Sequence, residues 1–159
     1  MKKILLTILF IVPTLIFSQK SAGKLSRTDD LSKTILEMNK DYESNAFVLW
    51  DSKLSDDAIV YVNNSKIDGK TVKQAFKQHH SIFNDIQIVS SYAHTNYFSD
   101  GEVWTNNWFT WMGTGNVTGI RFSNRGHFDF KWENGKIVEL QCYYDPTGLN
   151  MELAAASGN

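Results

Sequence analysis

Hydrophobic residues recur at helical spacing in the first half of the chain and alternate with polar residues in the second half. Leu31, Ile35, Met38 and Tyr42 are spaced as one face of a helix. Thr28 stands just before this run, and an aspartate pair follows it with further capping oxygens and negative charge. The pattern therefore predicts a first helix that begins near residue 28.

Two further helical stretches follow the first. One is predicted from Tyr42 to Leu54, with Phe47 and Trp50 along one face, and it is either a separate helix or the continuation of one bent helix. The next helix is predicted to begin at Thr71. Its inward-facing residues are spaced at i, i+3, i+4, i+7 and i+11, counted from Val72. This stripe consists of Val72, Ala75, Phe76, His79 and Phe83.

The second half of the chain has the pattern of an antiparallel meander. A short strand at 58–62 comes first, and the polar residues at 63–65 and 68–69 are typical of loops. Four longer strands are predicted at about 86–98, 102–113, 118–132 and 136–145. Asn134 and Gly135 tolerate positive φ angles, so they predict a tight hairpin between the last two strands. Helices followed by antiparallel strands indicate an α+β fold.

The N-terminus has the features of a secretory signal peptide. Lys2 and Lys3 precede an apolar run from Ile4 to Phe17, which contains Pro13 and is shorter than the roughly 20 residues of a spanning helix. The alternative is an uncleaved anchor. We expect the chain to be divided into a signal peptide at 1–18, a linker at 19–27, one domain at 28–153 and a tail at 154–159. The mature protein would then be secreted or periplasmic.

Charge and cysteine content exclude several classes of function. Without the signal peptide the chain keeps 14 basic against 17 acidic residues, a net charge of −3, so it offers no basic field for nucleic acid. Cys142 is the single cysteine, so no internal disulfide is possible, and we expect it to be a small buried residue. Five Trp, six Tyr and ten Phe supply the apolar area for a core instead.

The C-terminal hairpin carries a family resemblance. Trp-Glu-Asn-Gly-Lys-Ile-Val-Glu at 132–139 and the closing Tyr-Tyr-Asp at 143–145 resemble the C-terminal signature of SnoaL-like proteins, within the nuclear transport factor 2-like superfamily. Further matching pieces occur in the family's order at 55–60, 69–76, 83–86 and 113–119. The resemblance extends over about residues 30 to 153.

This resemblance implies a cone-shaped α+β barrel, with the N-terminal helices packed in a strongly bent, mixed and mostly antiparallel sheet. It also implies an apolar pocket inside the cone and, commonly, a homodimer. Members of the superfamily include polyketide cyclases, ketosteroid isomerases, dehydratases and epoxide hydrolases, as well as proteins that only bind ligands or form dimeric accessory domains. Because one fold serves so many tasks, the function has to be argued from the residues of the site.

The ketosteroid isomerase pattern is not reproduced in this sequence. Those enzymes place a carboxylate base near the end of the first strand and a tyrosine in the first helix. The resemblance puts these positions near Val62 and Asn63 and near Met38, none of which suits the role, although Tyr42 lies one helical turn from Met38. Asn64 follows and is not a base either.

His79, Asp145 and Tyr143 are the candidate catalytic residues. His79 lies in an apolar stripe and is either an acid/base or ligand-binding group, or a core histidine satisfied by a backbone carbonyl. Asp145 either faces the pocket or caps the turn that begins at Pro146. Tyr143 and Tyr144 point to opposite faces of their strand, so one of them should face inward.

The candidate ligand-binding residues are mainly aromatic. They are Trp50, Tyr61, His79, Trp104, Asn106, Trp108 and Tyr143. Strand alternation puts Trp104 and Trp108 on one face and Trp111 on the other. Such side chains suit the wall of an apolar pocket, but they equally suit a plain core or a dimer surface on the outer face of the sheet.

A second pair of titratable residues lies on one strand. His127 and Asp129 share a face, and they form either a hydrogen-bonded acid/base pair or part of a solvated surface. Four histidines without paired-ligand spacing predict no metal site. The sequence shows no nucleotide or phosphate fingerprint, so we expect no cofactor.

Three functions are compatible with the sequence. The first is a secreted SnoaL-like pocket protein that binds a small apolar or aromatic molecule, without nucleic acid or membrane partners after signal cleavage and as a homodimer. The second is a cofactor-independent isomerase, cyclase or dehydratase in which His79 acts with Asp145 and Tyr143. The third is a dimeric interaction module whose pocket is filled by its own side chains. The sequence leaves open whether the protein is an enzyme.

Overall fold

The computed structural model describes residues 21–158, so the predicted signal peptide lies outside the described residues. This part of the chain forms four helices and seven strands. The helices are α1 (Asp30–Glu43), α2 (Val48–Lys53), α3 (Gly69–Ile82) and α4 (Thr147–Ala156). The strands are β1 (Gly23–Ser26), β2 (Leu54–Val62), β3 (Ser65–Asp68), β4 (Phe83–Phe98), β5 (Val103–Gly115), β6 (Arg121–Glu133) and β7 (Lys136–Tyr144).

All seven strands belong to one open, curved sheet in the order β1-β4-β5-β6-β7-β2-β3. The pairing of β2 with β7 is parallel and the other pairings are antiparallel. Two register shifts interrupt β4, at residues 84–87 and 89–92, and Asp85 and Ser90 have positive φ angles there. Bulges of this kind bend a strand and increase its twist. The α+β architecture with a mixed, mostly antiparallel sheet is confirmed.

The concave face of the sheet forms the core against the helices. Along β6 the inward positions Phe128, Phe130 and Trp132 are buried, whereas His127 and Lys131 lie on the outer face, as the alternation predicted. Met38 and Ile35 of α1 are fully buried on the helical side. Cys142 is also fully buried, as expected, and forms no disulfide.

The first two helices are separate rather than one bent helix. Asn45 and Phe47 have φ angles of 58°, which break the helix between α1 and α2. The Asp41 carboxylate at the end of α1 accepts hydrogen bonds from the backbone N–H groups of Val48, Leu49 and Trp50, at 3.1, 2.8 and 3.3 Å. A side chain seven to nine residues upstream therefore satisfies the unpaired amides at the start of α2.

Three elements of the structure are absent from the sequence prediction. β1 lies in the stretch expected to be a linker and pairs with β4, so the fold begins before residue 28. β3 replaces the expected loop at 65–68 and forms a hairpin with β2. α4 extends into the expected tail. β1 and β3 are four-residue strands held by backbone pairing, and neither contains a buried residue that a hydrophobic pattern could have shown.

Helix α4 is held to the sheet by a buried carboxylate. Glu152 is 1% exposed, and its oxygens accept hydrogen bonds from the backbone N–H groups of Val117 and Thr118 and from the Thr118 hydroxyl, the last at 2.6 Å. Desolvation favours the neutral acid, but these hydrogen bonds outweigh it and hold the pKa of Glu152 below its usual value. Gly115 makes room for the carboxylate, because a Cβ there would lie 2.2 Å from Glu152 Oε2.

We expect Glu152→Ala to lower Tm by several degrees, because it leaves two turn amides without a partner beneath α4. The matched control is Met151→Ala on the same helix, where the side chain is exposed. Thermal unfolding followed by circular dichroism measures both variants. Equal Tm values for the two would contradict the anchoring role of Glu152.

Candidate functional site

A cavity of about 70 Å³ lies between the helices and the concave face of the sheet. Its surface is almost entirely apolar. Six aromatic side chains from α2, α3 and strands β4 to β6 contribute most of the wall: Trp50, Phe76, Phe83, Phe109, Trp111 and Phe128. An apolar recess with few polar groups inside a fold is the usual form of a small-molecule site.

Ring-on-ring contacts determine the shape of this wall. Phe76 of α3 stacks on Phe128 of β6 at 5.9 Å between centroids. Phe109 meets Phe128 edge to face at 5.0 Å, and Phe83 meets Trp111 in the same manner at 5.0 Å. Such geometries are preferred by aromatic pairs and restrict ring movement. The wall is therefore preformed.

A chain of hydrogen bonds crosses one side of the cavity. Trp111 Nε1 of β5 donates to the Tyr42 hydroxyl of α1 at 2.9 Å, and the same hydroxyl lies 3.0 Å from His79 Nδ1 of α3. The two contacts join three elements around a buried oxygen, since Tyr42 is only 6% exposed. We refer to Trp111, Tyr42 and His79 as the relay.

The relay has a direction that follows from its donors. Trp111 Nε1 can only donate, so the Tyr42 oxygen accepts there. The Tyr42 hydroxyl proton then needs an acceptor, and within residues 21–158 His79 Nδ1 is the partner that can take it. Nδ1 is consequently the unprotonated nitrogen, and the proton of the neutral imidazole is on Nε2.

Burial holds both relay side chains in their neutral forms. Burial first, and the neighbouring His80 second, lower the pKa of His79 from 6.5 to about 4. Burial raises the pKa of Tyr42 well above its usual value, although the Trp111 N–H acts in the opposite direction. Desolvation disfavours the charged form of each group. At neutral pH the relay therefore carries no charge.

The C-terminal end of β7 forms the rim of the cavity. Tyr144 lines the cavity, and burial raises the pKa of its hydroxyl. Asp145 also reaches the rim but is exposed, and its Oδ1 accepts from the Thr147 backbone N–H at 2.9 Å and from the Thr147 hydroxyl at 2.6 Å. These hydrogen bonds lower the pKa of Asp145 and make it the cap of the following turn.

A cluster of polar side chains at the α1 side of the cavity is internally satisfied. Asn39 Nδ2 donates to Ser91 Oγ at 2.8 Å, Ser91 Oγ donates to Asn107 Oδ1 at 3.1 Å, and Asn107 Nδ2 donates to Asn39 Oδ1 at 3.0 Å. Asn107 is fully buried. A closed set of this kind lets polar groups lie at the cavity without an unpaired donor.

The predicted site residues fall into two groups. Trp50 and His79 line the cavity, and Asp145 lies at its rim. His79 and Asp145 form no direct hydrogen bond or ion pair. Tyr143, by contrast, is 45% exposed and donates to Gln141 on the outer face of the sheet. Its predicted role in the pocket is therefore wrong, and Tyr144 is the inward-facing tyrosine of this pair.

Four further predicted ligand-binding residues also lie away from the cavity, on the outer face of the sheet. They are Tyr61, Trp104, Asn106 and Trp108. The alternation of side chains along β5 was predicted correctly, because Trp104 and Trp108 lie on one face of the strand and Trp111 lies on the other. The assignment of the inner face was wrong, since Trp111 faces the helices.

The His127 and Asp129 side chains lie next to each other on the outer face of the sheet, but His127 Nε2 makes no hydrogen bond within residues 21–158. His127 Nε2 lies 2.8 Å from Asp129 Oδ1, and the His127 ring stacks on Trp108 with 3.6 Å between centroids. Both side chains are partly exposed. The sheet separates this pair from the cavity, so it does not act on the same bound molecule.

Sequence reasoning missed Tyr42, Trp111 and Tyr144 as site residues. The signal for Tyr42 was its place one helical turn from the position of the isomerase tyrosine. The alternation of side chains along β5 was the one signal that separated Trp111 from Trp104 and Trp108, because Trp111 is an odd number of residues away from both. Nothing in the sequence specified that the hydroxyl of Tyr42 reaches two other elements.

Two negative findings apply to the described part of the chain. Within residues 21–158, no group of three or more His, Cys, Asp or Glu side chains is arranged to hold a metal ion. No helix in that range combines the length and the apolar character needed to cross a membrane.

Solved structures with the same architecture share little sequence with this chain. A candidate polyketide cyclase from Pseudomonas putida KT2440 has 17% identity over 76% of this chain and 96% of its own, with a TM-score of 0.61. IdmH, a candidate polyketide cyclase from Streptomyces antibioticus, has 17% identity over 79% and 99% of the two chains, with a TM-score of 0.57. AclR, a candidate hydroxylase from Streptomyces galilaeus, has 17% identity over 77% and 93%, with a TM-score of 0.57.

No family model matches the sequence, and no curated protein matches it. The structural likeness nevertheless defines the fold. The chain shares the α+β fold of these structures, which agrees with the SnoaL-like resemblance of its C-terminal hairpin.

The low pKa of His79 predicts a pH dependence of stability. Between pH 6.5 and about 4 the unfolded chain binds a proton at this residue and the folded protein does not. The free energy of unfolding therefore falls with falling pH, by up to about 1.4 kcal/mol per pH unit from this residue. His79→Gln should remove this contribution, and urea unfolding at a series of pH values measures it.

The control for this prediction is Gln78→Ala, which changes an exposed residue of the same helix and should keep the wild-type pH dependence. An identical pH dependence in wild type and His79→Gln would show that His79 is not held neutral by its surroundings.

Proposed function

We propose that this protein binds a small apolar or aromatic molecule in the cone and does not transform it. The observation that carries the proposal is the preformed aromatic cavity with an uncharged, hydrogen-bonded relay on its wall. Apolar cavities of this type stay dry and take up apolar guests. A bound ring would gain the contacts that the cavity wall now lacks.

The size of the cavity limits its occupant. Its volume of about 70 Å³ is less than the ~150 Å³ of an apolar cavity that holds benzene. A single ring therefore fits with small movements of the lining side chains, or with part of the molecule at the exposed rim near Asp145. The cavity is nevertheless not filled by the chain's own side chains, which argues against the interaction module with a filled pocket.

The polar groups favour binding over catalysis. A general base needs a free lone pair within reach of the substrate, and the free lone pair of His79 already accepts the Tyr42 proton. The raised pKa of Tyr42 disfavours the phenolate that a proton relay would have to pass through. The Asp145 carboxylate accepts from Thr147 through Oδ1 and is exposed at the rim, where water solvates it. The buried part of the cavity wall therefore holds no unengaged base that could take a proton from a bound molecule.

A second candidate function is a cofactor-independent enzyme of the cyclase, isomerase or dehydratase type. Its support is the shared fold with candidate polyketide cyclases and the presence of His79, Tyr144 and Asp145 around one cavity. In this version Tyr144 takes the place first assigned to Tyr143. It requires that a substrate displace the Tyr42 hydroxyl from His79 Nδ1.

Export and dimerisation complete the proposal. The N-terminal signal would direct the protein to the periplasm or the medium, where small apolar molecules arrive from outside the cell. A homodimer would form through the outer face of the sheet, where Tyr92 and Tyr143 are 41% and 45% exposed and Trp108 lies between them.

Binding of toluene tests the proposed function. We expect wild type to bind toluene, detected by ligand-observed saturation-transfer NMR, and Ile88→Phe to weaken binding at least about tenfold by filling the cavity. Val89→Phe introduces the same side chain at the next residue of β4, where the position is exposed, and should bind as wild type does.

Two outcomes would contradict the proposal. One is the absence of toluene binding to folded wild-type protein. The other is equal binding by all three proteins, which would place the contact on the surface instead of in the cavity.

A further inference from the structure

Helix α4 begins at the open end of the cavity. Among the cavity-lining residues of the described range, Asp145 alone is exposed, and it lies two residues before the first residue of α4. Leu149, in the first turn of this helix, lines the cavity and is partly exposed. A molecule that enters at the exposed rim would therefore have to pass α4.

The hydrophobic effect holds α4 more weakly than it holds α1 or α3. The buried residues of α4 are Gly148 and Glu152, whereas α1 and α3 each bury four residues. Gly148 fits closely against the ring of Phe122, because a Cβ there would lie 2.7 Å from Cδ1, and Leu149 packs against the core. Displacement of α4 would thus uncover little apolar surface, which is typical of segments that open locally.

One carboxylate supplies the polar attachment of α4 to the sheet. Within residues 21–158, the hydrogen bonds that join this helix to other elements all end on Glu152, which accepts from Val117 and Thr118 in the turn between β5 and β6. Such charge-assisted bonds are stronger than those between neutral groups. Water can replace each of them when the helix moves outward, so opening leaves no buried polar group unpaired.

We propose that α4 is a lid over the cavity, that it hinges at Asp145 and Pro146, and that the Glu152 carboxylate is its latch. This inference rests on the proposed binding function and adds the route by which the guest enters and leaves. Asp145 and Pro146 connect β7 to α4, so the rotation has to occur there. Asn124 of β6 donates to the Asp145 backbone oxygen at 3.0 Å and keeps the hinge at the sheet.

A lid and a fixed wall respond differently to a weakened latch. Opening of a lid limits both the entry and the exit of the guest, so a weaker latch raises both rates. The Kd then changes little, as long as the closed state still predominates. A change in a fixed part of the wall would alter the affinity instead, or would alter nothing.

Amide hydrogen exchange of the full mature chain tests whether α4 opens independently. The Val117 and Thr118 amides are bound to Glu152 when the lid is closed and are released when it opens. We expect both to exchange at least about tenfold faster than the amides of the core strand β6. Toluene at ten times its Kd should slow them about tenfold, because it favours the closed state.

Three variants separate the latch from general stability. Thr118→Val removes one donor to Glu152 and should raise the exit rate of toluene about three- to tenfold, and Glu152→Gln should raise it further. Asp41→Asn weakens a carboxylate cap of the same kind on α2 and should leave the exit rate within about twofold of wild type. NMR exchange spectroscopy of bound and free toluene measures the rates, and titration measures the Kd values.

The outcomes distinguish the lid from the binding function beneath it. Equal protection of the turn amides and of β6, or turn exchange that bound toluene does not slow, would overturn the lid. So would an unchanged exit rate in Thr118→Val, which keeps the test decisive if Glu152→Gln does not fold, or an equal increase in Asp41→Asn. If toluene does not bind to wild type, the proposed function fails, and exchange of the ligand-free turn amides still decides whether α4 opens.

Discussion

The arrangement around the cavity depends on how one buried hydroxyl is satisfied. Tyr42 is almost fully buried, so its oxygen and its proton both need partners inside the protein. Trp111 supplies the donor and His79 the acceptor, and this ties α1 to β5 and α3. The same two bonds determine the tautomer of His79 and leave its remaining N–H directed away from the relay. The two hydrogen bonds of the Tyr42 hydroxyl therefore both connect α1, α3 and β5 and determine which nitrogen of His79 is protonated.

The curved sheet divides the aromatic residues of the chain into two populations. Those on the concave face, such as Phe128 and Trp111, pack on one another and enclose the cavity. Those on the outer face, such as Trp108, stack on polar neighbours like His127 and remain partly exposed. The aromatic residues on the concave face are suited to contact a small bound molecule, and those on the outer face are suited to contact the surface of another protein chain. Both populations arise because side chains alternate between the two faces of each strand, and only one face of the sheet is exposed to solvent.

Much of the fold was predictable, and much of the site was not. The helical stripe from Val72 to His79 and the hairpin turn at Asn134 were predicted correctly, because local periodicity and turn chemistry determine them. Phe83, predicted as the last residue of this stripe, instead begins β4. Strand parity also separated Trp111 from Trp108. The alternation of side chains does not show which face of a strand lies inside when both faces carry aromatic residues. The residues of the outer face were therefore predicted to bind the ligand. The buried carboxylate of Glu152 was invisible because its partners are backbone amides 34 to 35 residues away.

A crystal structure of the mature protein under xenon pressure would show whether the cavity takes up an apolar guest. We expect xenon in the cavity beside Phe76, Phe109 and Trp111, in contact with aromatic rings and without ordered water. We also expect the Tyr42 hydroxyl to keep both of its hydrogen bonds. A cavity closed by its own side chains, or one filled with ordered water bound to His79 and excluding xenon, would contradict a site built for an apolar guest.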